Sequence, residues 1–83
     1  MNASEIGQFF GAMKAGFIFR CEYVSGGAKK AQSFRISTMD GVVLFMGLRN
    51  QDTATEHGVW VPGSDHMIMG TDGRVAVSRL WVE

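Results

Sequence analysis

Apolar side chains recur at helical spacing in the N-terminal segment of the chain. The apolar positions are Ile6, Phe9, Phe10 and Met13. Residues three and four positions apart lie on one side of an α-helix, so these side chains form a single buried stripe. Asn2 and Glu5 have the spacing of a capping box at the start of a helix. The pattern predicts a helix over about residues 3–15 that ends at Gly16.

A second stripe on this helix carries only small residues. It consists of Ala3, Gly7, Gly11 and Ala15, each four positions after the last. An interior glycine costs up to about 1 kcal/mol of helix stability relative to alanine, so a packing role is expected to offset that cost. Two interpretations are open: the helix backbone lies close to its own sheet, or it contacts the same helix of a second copy. Gly7 and Gly11 are therefore candidate interface residues.

Beyond the helix, the apolar period changes to two. The alternating apolar residues of the first strand are Phe17, Phe19, Cys21 and Tyr23. Successive side chains of a β-strand point to opposite faces, so this pattern predicts a half-buried strand. Asp40-Gly41 and Asp72-Gly73 are residue pairs typical of two-residue hairpin turns. We therefore expect antiparallel strands across about residues 17–82.

Counting outward from each turn predicts the cross-strand pairs. A loop centred between Gly27 and Ala28 gives the pairs Phe19 with Ile36, Cys21 with Phe34 and Arg20 with Arg35. The Asp40-Gly41 turn gives Ile36 with Phe45 and Thr38 with Val43. The Asp72-Gly73 turn gives Ile68 with Val77 and Met69 with Ala76. These registers decide which side chains share a face, because a one-residue slip moves a whole strand to the other face.

In these registers, two regions are apolar on both faces of the sheet. The strand after the Asp40-Gly41 turn places Val42, Leu44, Met46 and Leu48 outward. The last hairpin has Met67, Met69, Ala76, Leu80 and Val82 on one side and Gly70, Val75, Val77 and Trp81 on the other. A single small sheet cannot cover both sides, so either the sheet curls into a barrel or a second subunit covers it. The interface candidates are Gly7, Gly11, Leu44, Met46, Met67, Met69 and Leu80.

The predicted fold is α+β, with one N-terminal helix packed on a bent antiparallel sheet of five or six strands, an incomplete small barrel. The 83 residues form one domain, 1–83, near the size at which oligomerisation often supplies missing burial. A hydrophobic content of 46% with 19% charged residues is typical of a folded chain. We therefore expect at least a dimer.

Charge and cysteine content narrow the classes of partner and location. Eight Lys and Arg balance eight Asp and Glu, which removes a global electrostatic argument for binding nucleic acid or an anionic membrane. The apolar run from Val42 to Leu48 is about a third of the roughly 20 residues that span a bilayer, so we expect no membrane role. The single cysteine, Cys21, and the absence of a signal-peptide pattern indicate a reducing cytoplasm.

A local basic face is one candidate site. It comprises Arg20, Lys29, Lys30 and Arg35, which the assumed register places together as candidates for binding an anion such as a phosphate backbone. The alternative is that Glu22, diagonal to Arg35, neutralises the pair. No aromatic side chain is expected on that face, because Phe19, Tyr23 and Phe34 point inward.

Chemistry-bearing residues collect in a polar stretch, 50–58, and before the last hairpin. They are Asp52, Glu56, His57, Asp65 and His66. His57 and His66 do not have the spacing of a metal-ligand motif, so we expect neither a metal nor a cofactor. Cys21 has no histidine near it in sequence and is expected to be a small buried apolar residue. We find no catalytic constellation in the sequence.

Three function hypotheses follow. The first is a small non-enzymatic binding or adaptor module that self-associates and binds itself or another protein. The second is a nucleic-acid-binding oligomer that uses the basic face. The third is a small-ligand pocket or an enzyme near Trp60 and His66. No motif of a known family is present to choose among them.

Overall fold

The protein is a six-stranded antiparallel barrel with an N-terminal helix. The computed structural model describes residues 1–48 and 56–83. The elements are α1 (Ala3–Gly11), β1 (Ile18–Ser25), β2 (Ala28–Thr38), β3 (Val43–Gly47), β4 (His57–Trp60), β5 (His66–Met69) and β6 (Gly73–Val82). Each strand pairs with the next, and β6 pairs back with β1. The predicted α+β fold is confirmed, and the sheet closes completely instead of remaining an incomplete barrel.

The capping box at the start of α1 is formed as predicted. The Glu5 N–H donates to Asn2 Oδ1 at 2.8 Å, and the Asn2 N–H donates to Glu5 Oε1 at 2.9 Å. The predicted end of the helix at residue 15 is wrong, because α1 ends at Gly11 and its last turn tightens into three-residue hydrogen bonds. Met13 still enters the core from the segment that follows the helix. None of the helices in the described residues is long and apolar enough to cross a bilayer.

An aromatic cluster fills the barrel and joins it to the helix. It consists of Phe10, Phe19, Phe34, Phe45 and Trp60. The ring of Phe10 lies 5.3 Å from the rings of both Phe19 and Trp60, so α1 closes the end of the barrel where β1 begins and β4 ends. Burial of such large apolar side chains is the dominant stabilising contribution in a domain of this size.

The inner row of β1 and β2 is as predicted, but the two strands are paired two residues out of the predicted register. Phe19 faces Phe34, and Arg20 faces Ser33 instead of Arg35. The reason is the turn, which is centred on Gly26 and Gly27 with φ angles of 58° and 78°. Two successive positive φ values suit a two-residue hairpin, and Ala28 does not have to adopt one. A two-residue slip preserves the face of every side chain.

The hairpin of β2 and β3 follows its predicted register only in part. Ile36 faces Phe45 as predicted. Thr38 faces Leu44 instead of Val43, because an irregularity between Ile36 and Thr38 shifts the pairing by one residue. Beyond that point β3 keeps its alternation, with Val43 and Phe45 buried.

The predicted register of the last hairpin is wrong. Met67 faces Val75, and Ile68 faces Arg74. The turn spans Gly70-Thr71-Asp72, and the positive φ of 71° falls on Gly73, the first residue of β6. The slip is an odd number of residues, so the two faces of β5 exchange.

A bulge in β6 changes the face of its C-terminal half. Tyr23 pairs with Val77 and Glu22 pairs with Arg79, which leaves Ser78 without a partner on β1. An extra residue in one strand reverses the alternation beyond it. Leu80 therefore points towards the core, and Trp81 lies on the outer face opposite Arg20.

Candidate functional site

The outer face of three neighbouring strands carries a continuous group of apolar side chains. We call this group the apolar patch, and it consists of Leu44, Met46, Val59 and Ile68. Leu44 faces Val59, and Val59 faces Ile68, so the side chains are direct cross-strand neighbours. Leu44, Met46 and Ile68 are 40%, 41% and 43% exposed. Single exposed apolar residues are ordinary on a protein surface, so it is the contiguity of this group that makes it a candidate site.

The patch contains a shallow depression of about 260 Å³. Its floor is formed around Gly58, whose inner side is occupied by the ring of Phe45. A Cβ at Gly58 would collide with that ring, so this position of β4 has to be a glycine. The walls of the depression are the side chains of Leu44, Val59 and Ile68. The depression therefore presents mainly apolar side chains to the solvent.

Basic residues border the apolar patch. Arg35 lies beside Met46 on β2, and Arg74 lies beside Ile68 on β6. His57 is the cross-strand neighbour of Met46 on β4. The sequences of β2 to β6 contain no Asp or Glu, although they contain Lys29, Lys30, Arg35, Arg74 and Arg79. Strands β2 to β6 thus carry basic side chains and no acidic ones, although the chain is neutral and Lys30 is paired with Asp72.

Several predicted interface residues lie elsewhere. Met67 and Met69 are 0% and 2% exposed and pack in the core, so they cannot form an outer surface. Leu80 points inward and packs against the same core. Their predicted exposure depended on the wrong register of the last hairpin. Leu44 and Met46 are outward, as predicted.

The small-residue stripe of α1 does not pack tightly against the sheet. A Cβ at Gly7 would lie 3.7 Å from Trp60 Cη2, an ordinary contact, and a Cβ at Gly11 would have no atom within 4 Å. The stripe lines a groove of about 410 Å³ between α1 and the chain around Val42 and Pro62. None of the described residues that line this groove is charged, so their side chains offer van der Waals contact without a charged anchor.

The basic face of the sequence prediction is divided in the structure. Arg20 and Arg35 share the outer face on diagonal positions, and Arg20 donates to Ser33 Oγ at 3.2 Å. Lys29 lies at the far end of the hairpin, opposite Val24. Lys30 is instead paired with the inward-facing Tyr23. Its Nζ lies 3.0 Å from Oδ1 of Asp72, with which it forms a hydrogen-bonded ion pair. This hydrogen bond is the main cause of the lowered pKa of Asp72.

Trp81 is an aromatic side chain that sequence reasoning did not place on this face. It is opposite Arg20, and the Arg79 guanidinium lies 4.4 Å from the centre of its ring. Among residues 1–48 and 56–83, neither Arg20 nor Arg35 forms an ion pair with Glu22, whose direct neighbour is Arg79. Only the bulge in β6 brings Trp81 here, and the sequence carries no clear signal for it.

Polar groups gather at the end of the barrel opposite the helix. Glu56, one of the residues of the polar stretch 50–58, has a buried side chain that is bound to Thr71. The Tyr23 hydroxyl lies 3.5 Å from both Gln32 and Asp72. Burial, with the nearby carboxylates, raises the pKa of Tyr23 to about 12. Asp52 and the rest of the stretch 49–55 lie outside the described residues.

Cys21 is buried in the core, as predicted. Burial is the main cause that raises the pKa of its thiol to about 12, and Glu22 adds to the effect. A thiol with so high a pKa is almost entirely protonated near neutral pH, so it has little nucleophilic thiolate.

His66 lies in a local cluster with its neighbours. Its Nδ1 is 3.0 Å from Ser64 Oγ and 3.1 Å from Asp65 Oδ1, so both contacts use one ring nitrogen. A hydrolytic triad needs serine and carboxylate on opposite ring nitrogens, and this cluster lacks that arrangement. His57 is exposed beside the apolar patch. The described part of the chain has no group of three or more metal-ligating side chains.

Comparison with protein families, with characterised proteins and with solved structures finds no match for this chain.

Proposed function

We propose that this protein is a small non-enzymatic binding module, an adaptor, that binds another protein chain through the apolar patch. The observation that carries the proposal is the direct cross-strand run of Leu44, Val59 and Ile68 on the outside of a closed barrel. A closed barrel offers no free strand edge among β1 to β6, so side chains and not backbone pairing would hold a partner.

The chemistry of the potentially reactive residues supports a binding role over a catalytic one. The thiol of Cys21 is buried and its pKa is raised to about 12. The Ser64 hydroxyl and the Asp65 carboxylate contact the same nitrogen of His66. The groove beside Trp60, the place named in the third hypothesis, is not lined by His66. A general base must lie within hydrogen-bond reach of the substrate, and none of the described residues that line this groove is a histidine.

Self-association is the second candidate, because the centre of the apolar patch carries no charge and a second copy could bury it. The case for it is weaker than the sequence indicated. Met67 and Met69 are in the core, so they do not form the second apolar surface that was expected on the last hairpin. A nucleic-acid role for the outer arginines gains one observation, the position of Trp81 beside Arg20. A cytoplasmic location stays a prediction.

A paired set of variants tests the proposal. The double substitution Leu44→Ser with Ile68→Ser removes the centre of the patch, and Val24→Ser removes an apolar side chain of similar exposure on β1. We expect wild-type protein immobilised as bait to retain partners from its native cell that the double variant loses and the Val24→Ser control keeps. Retention that is equal in all three proteins would contradict the proposal.

Light scattering on the same three proteins tests whether a second copy of this chain binds at the apolar patch. A wild-type mass that is a multiple of 9.1 kDa, and that returns to 9.1 kDa only in the double variant, would assign the patch to a second copy. Thermal melting of each variant confirms that it is folded, since outward serine substitutions alter stability only modestly.

A further inference from the structure

We infer that the partner of the apolar patch is a short apolar segment of another protein with acidic residues on both sides. The inference rests on the proposed function and adds the chemistry of the partner. It comes from the charges around the patch, because apolar contact supplies affinity while charge complementarity selects among partners.

The acidic and basic residues of this neutral chain are distributed differently over its secondary-structure elements. The acidic residues are Glu5, Glu22, Asp40, Asp52, Glu56, Asp65, Asp72 and Glu83. Of those in residues 1–48 and 56–83, only Glu22 lies in a strand, and that strand is β1, whereas the five basic residues of β2 to β6 lie in strands without an acid. The strands on either side of the patch therefore present arginines, and no acidic residue of their own, to a partner.

Two arginines mark opposite sides of the patch. Arg35 is the cross-strand neighbour of Met46, and Arg74 is that of Ile68. Both side chains are exposed. Asp65 is the acidic group that lies within electrostatic range of Arg74, but its main hydrogen bond is to His66. Arginine binds carboxylates in a bidentate geometry, so each side of the patch can hold an acidic residue of the partner.

The same arrangement disfavours the other occupants. In a symmetric dimer through the patch, arginines of one copy would approach arginines of the other, and juxtaposed like charges cost several kcal/mol. Single-stranded nucleic acid needs an aromatic surface on which bases stack, and the patch is entirely aliphatic apart from the thioether of Met46. The aromatic residue of the outer wall, Trp81, is covered by Arg79.

The spacing of the arginines sets the length of the partner segment. Arg35 and Arg74 lie on strands separated by β3, β4 and β5, and neighbouring strands are about 4.8 Å apart. On the patch side the two residues are thus about 20 Å apart around the curved wall, whereas on the other side only β1 separates their strands. An extended segment that follows the wall across the patch spans this path with about six residues. We expect an apolar stretch of roughly that length between the two acidic flanks.

Peptide display on the intact protein tests this inference. A library of random peptides of about 12 residues is long enough to cross the patch with both flanks. We expect the enriched peptides to share aliphatic residues between acidic ones, and a synthetic copy of the best one to be measured by fluorescence anisotropy. Raising NaCl from about 50 mM to about 500 mM should weaken its binding, because screening shortens the range of the charge attraction.

Charge-reversal variants distinguish the effect of the two arginines beside the patch from the effect of net charge on the whole protein. Arg35→Glu with Arg74→Glu should weaken binding of that peptide by roughly tenfold or more, since both acidic flanks would then be repelled. The matched control, Lys29→Glu with Arg79→Glu, makes the same change in net charge on β2 and β6 away from the patch and should alter binding by less than about threefold.

The possible results of these experiments distinguish failure of the inference from failure of the proposed function. Peptides that need Leu44 and Ile68 but show no acidic enrichment would overturn it while the proposed function stands. A patch-dependent dimer without peptide binding would assign the surface to a second copy, and an RNA oligonucleotide that requires Arg35 and Arg74 would assign it to nucleic acid. A monomer with no patch-dependent peptide would overturn both the inference and the proposed function.

Discussion

The buried carboxylate of Glu56 accepts two hydrogen bonds from Thr71, one from the backbone N–H at 2.9 Å and one from the hydroxyl. This contact ties the residue before β4 to the turn between β5 and β6. Glu56→Ala would leave both donors of Thr71 without their partner. We expect the free energy of unfolding to fall by about 1–3 kcal/mol, the usual contribution of hydrogen bonds to a charged group.

Urea unfolding at neutral pH measures this change. Glu56→Gln retains one acceptor oxygen and should lose less stability than Glu56→Ala. Glu22→Ala, on the outer face opposite Arg79, is the control and should cost less than about 1 kcal/mol. A Glu56→Ala protein as stable as the wild type would mean that Thr71 finds other acceptors.

Substitution of the two glycines of α1 should not destabilise the fold, whereas tight packing of the helix against the sheet would make it destabilising. Gly7→Ala places a Cβ at an ordinary contact distance from Trp60, so we expect a gain of up to about 1 kcal/mol from helix propensity. Gly11→Leu meets no atom of this chain near its Cβ and should not lower the melting temperature. A marked loss of stability in Gly11→Leu, together with a change of mass, would reveal a helix contact with a second copy.

Alkaline pH should destabilise the fold through two buried groups. The pKa values of Cys21 and Tyr23 are raised to about 12 from ordinary values of 9.0 and 10.0, so the folded protein holds protons that the unfolded chain releases. Their contribution to stability is fully present below about pH 9 and is lost as the pH rises towards 12. Urea midpoints measured between those limits should fall steadily.

The rate at which a thiol-reactive disulfide reagent labels Cys21 tests whether this thiol is buried, as the alkaline destabilisation requires. At pH 8 the native protein should react only as fast as it unfolds, because the thiol is buried and protonated. Cys21→Ala should lose less stability than the wild type over the same rise in pH. Rapid labelling of native protein would show that Cys21 is accessible.

The kinds of element were predictable because each depends on local pattern. Alternation placed Phe19 and Phe34 inward, and the capping box of Asn2 and Glu5 marked the first residue of α1. Registers were less predictable, because they depend on which residues of a turn adopt positive φ. The use of Gly26 and Gly27, and of Gly73 after a longer loop, moved two hairpins away from the predicted pairing.

The candidate site was partly predictable for the same reason. Leu44 and Met46 were expected outward because β3 alternates between two apolar rows. Ile68 was assigned to the same side as Val77. The register of the last hairpin instead pairs it with Arg74 on the outer face, and the pairing of β4 with β5 brings it beside Val59. The exposure of Trp81 depends on a bulge where β6 closes the barrel against β1, a contact between distant parts of the chain.

The mass of the protein should depend on salt. With basic walls that repel one another, we expect a monomer of 9.1 kDa at low ionic strength. Ammonium sulfate should favour association, because it screens the arginines and strengthens apolar burial. Light scattering across a salt series measures this, and the Leu44→Ser, Ile68→Ser variant should remain monomeric throughout. A dimer already stable at low salt would contradict the basic-wall argument.

Nucleic-acid binding by the outer arginines has a direct optical test. The chain has two tryptophans, of which Trp60 is buried and Trp81 lies opposite Arg20 on the outer face. A base that stacks on Trp81 would quench its fluorescence. We expect little quenching by single-stranded DNA, because Arg79 already covers the ring and Glu22 lies beside Arg79.

The variant Arg20→Ala with Arg35→Ala completes the test. If the arginines bind phosphates, this variant should lose the quenching, and its plot of log affinity against log salt should be shallower by about 0.7 for each lost contact. If they do not, wild type and variant should behave alike, with stabilities that differ by less than about 1 kcal/mol. We expect the second result, since Arg20 already donates to Ser33, and the Ser33 hydroxyl in turn donates to the carboxylate of Glu83.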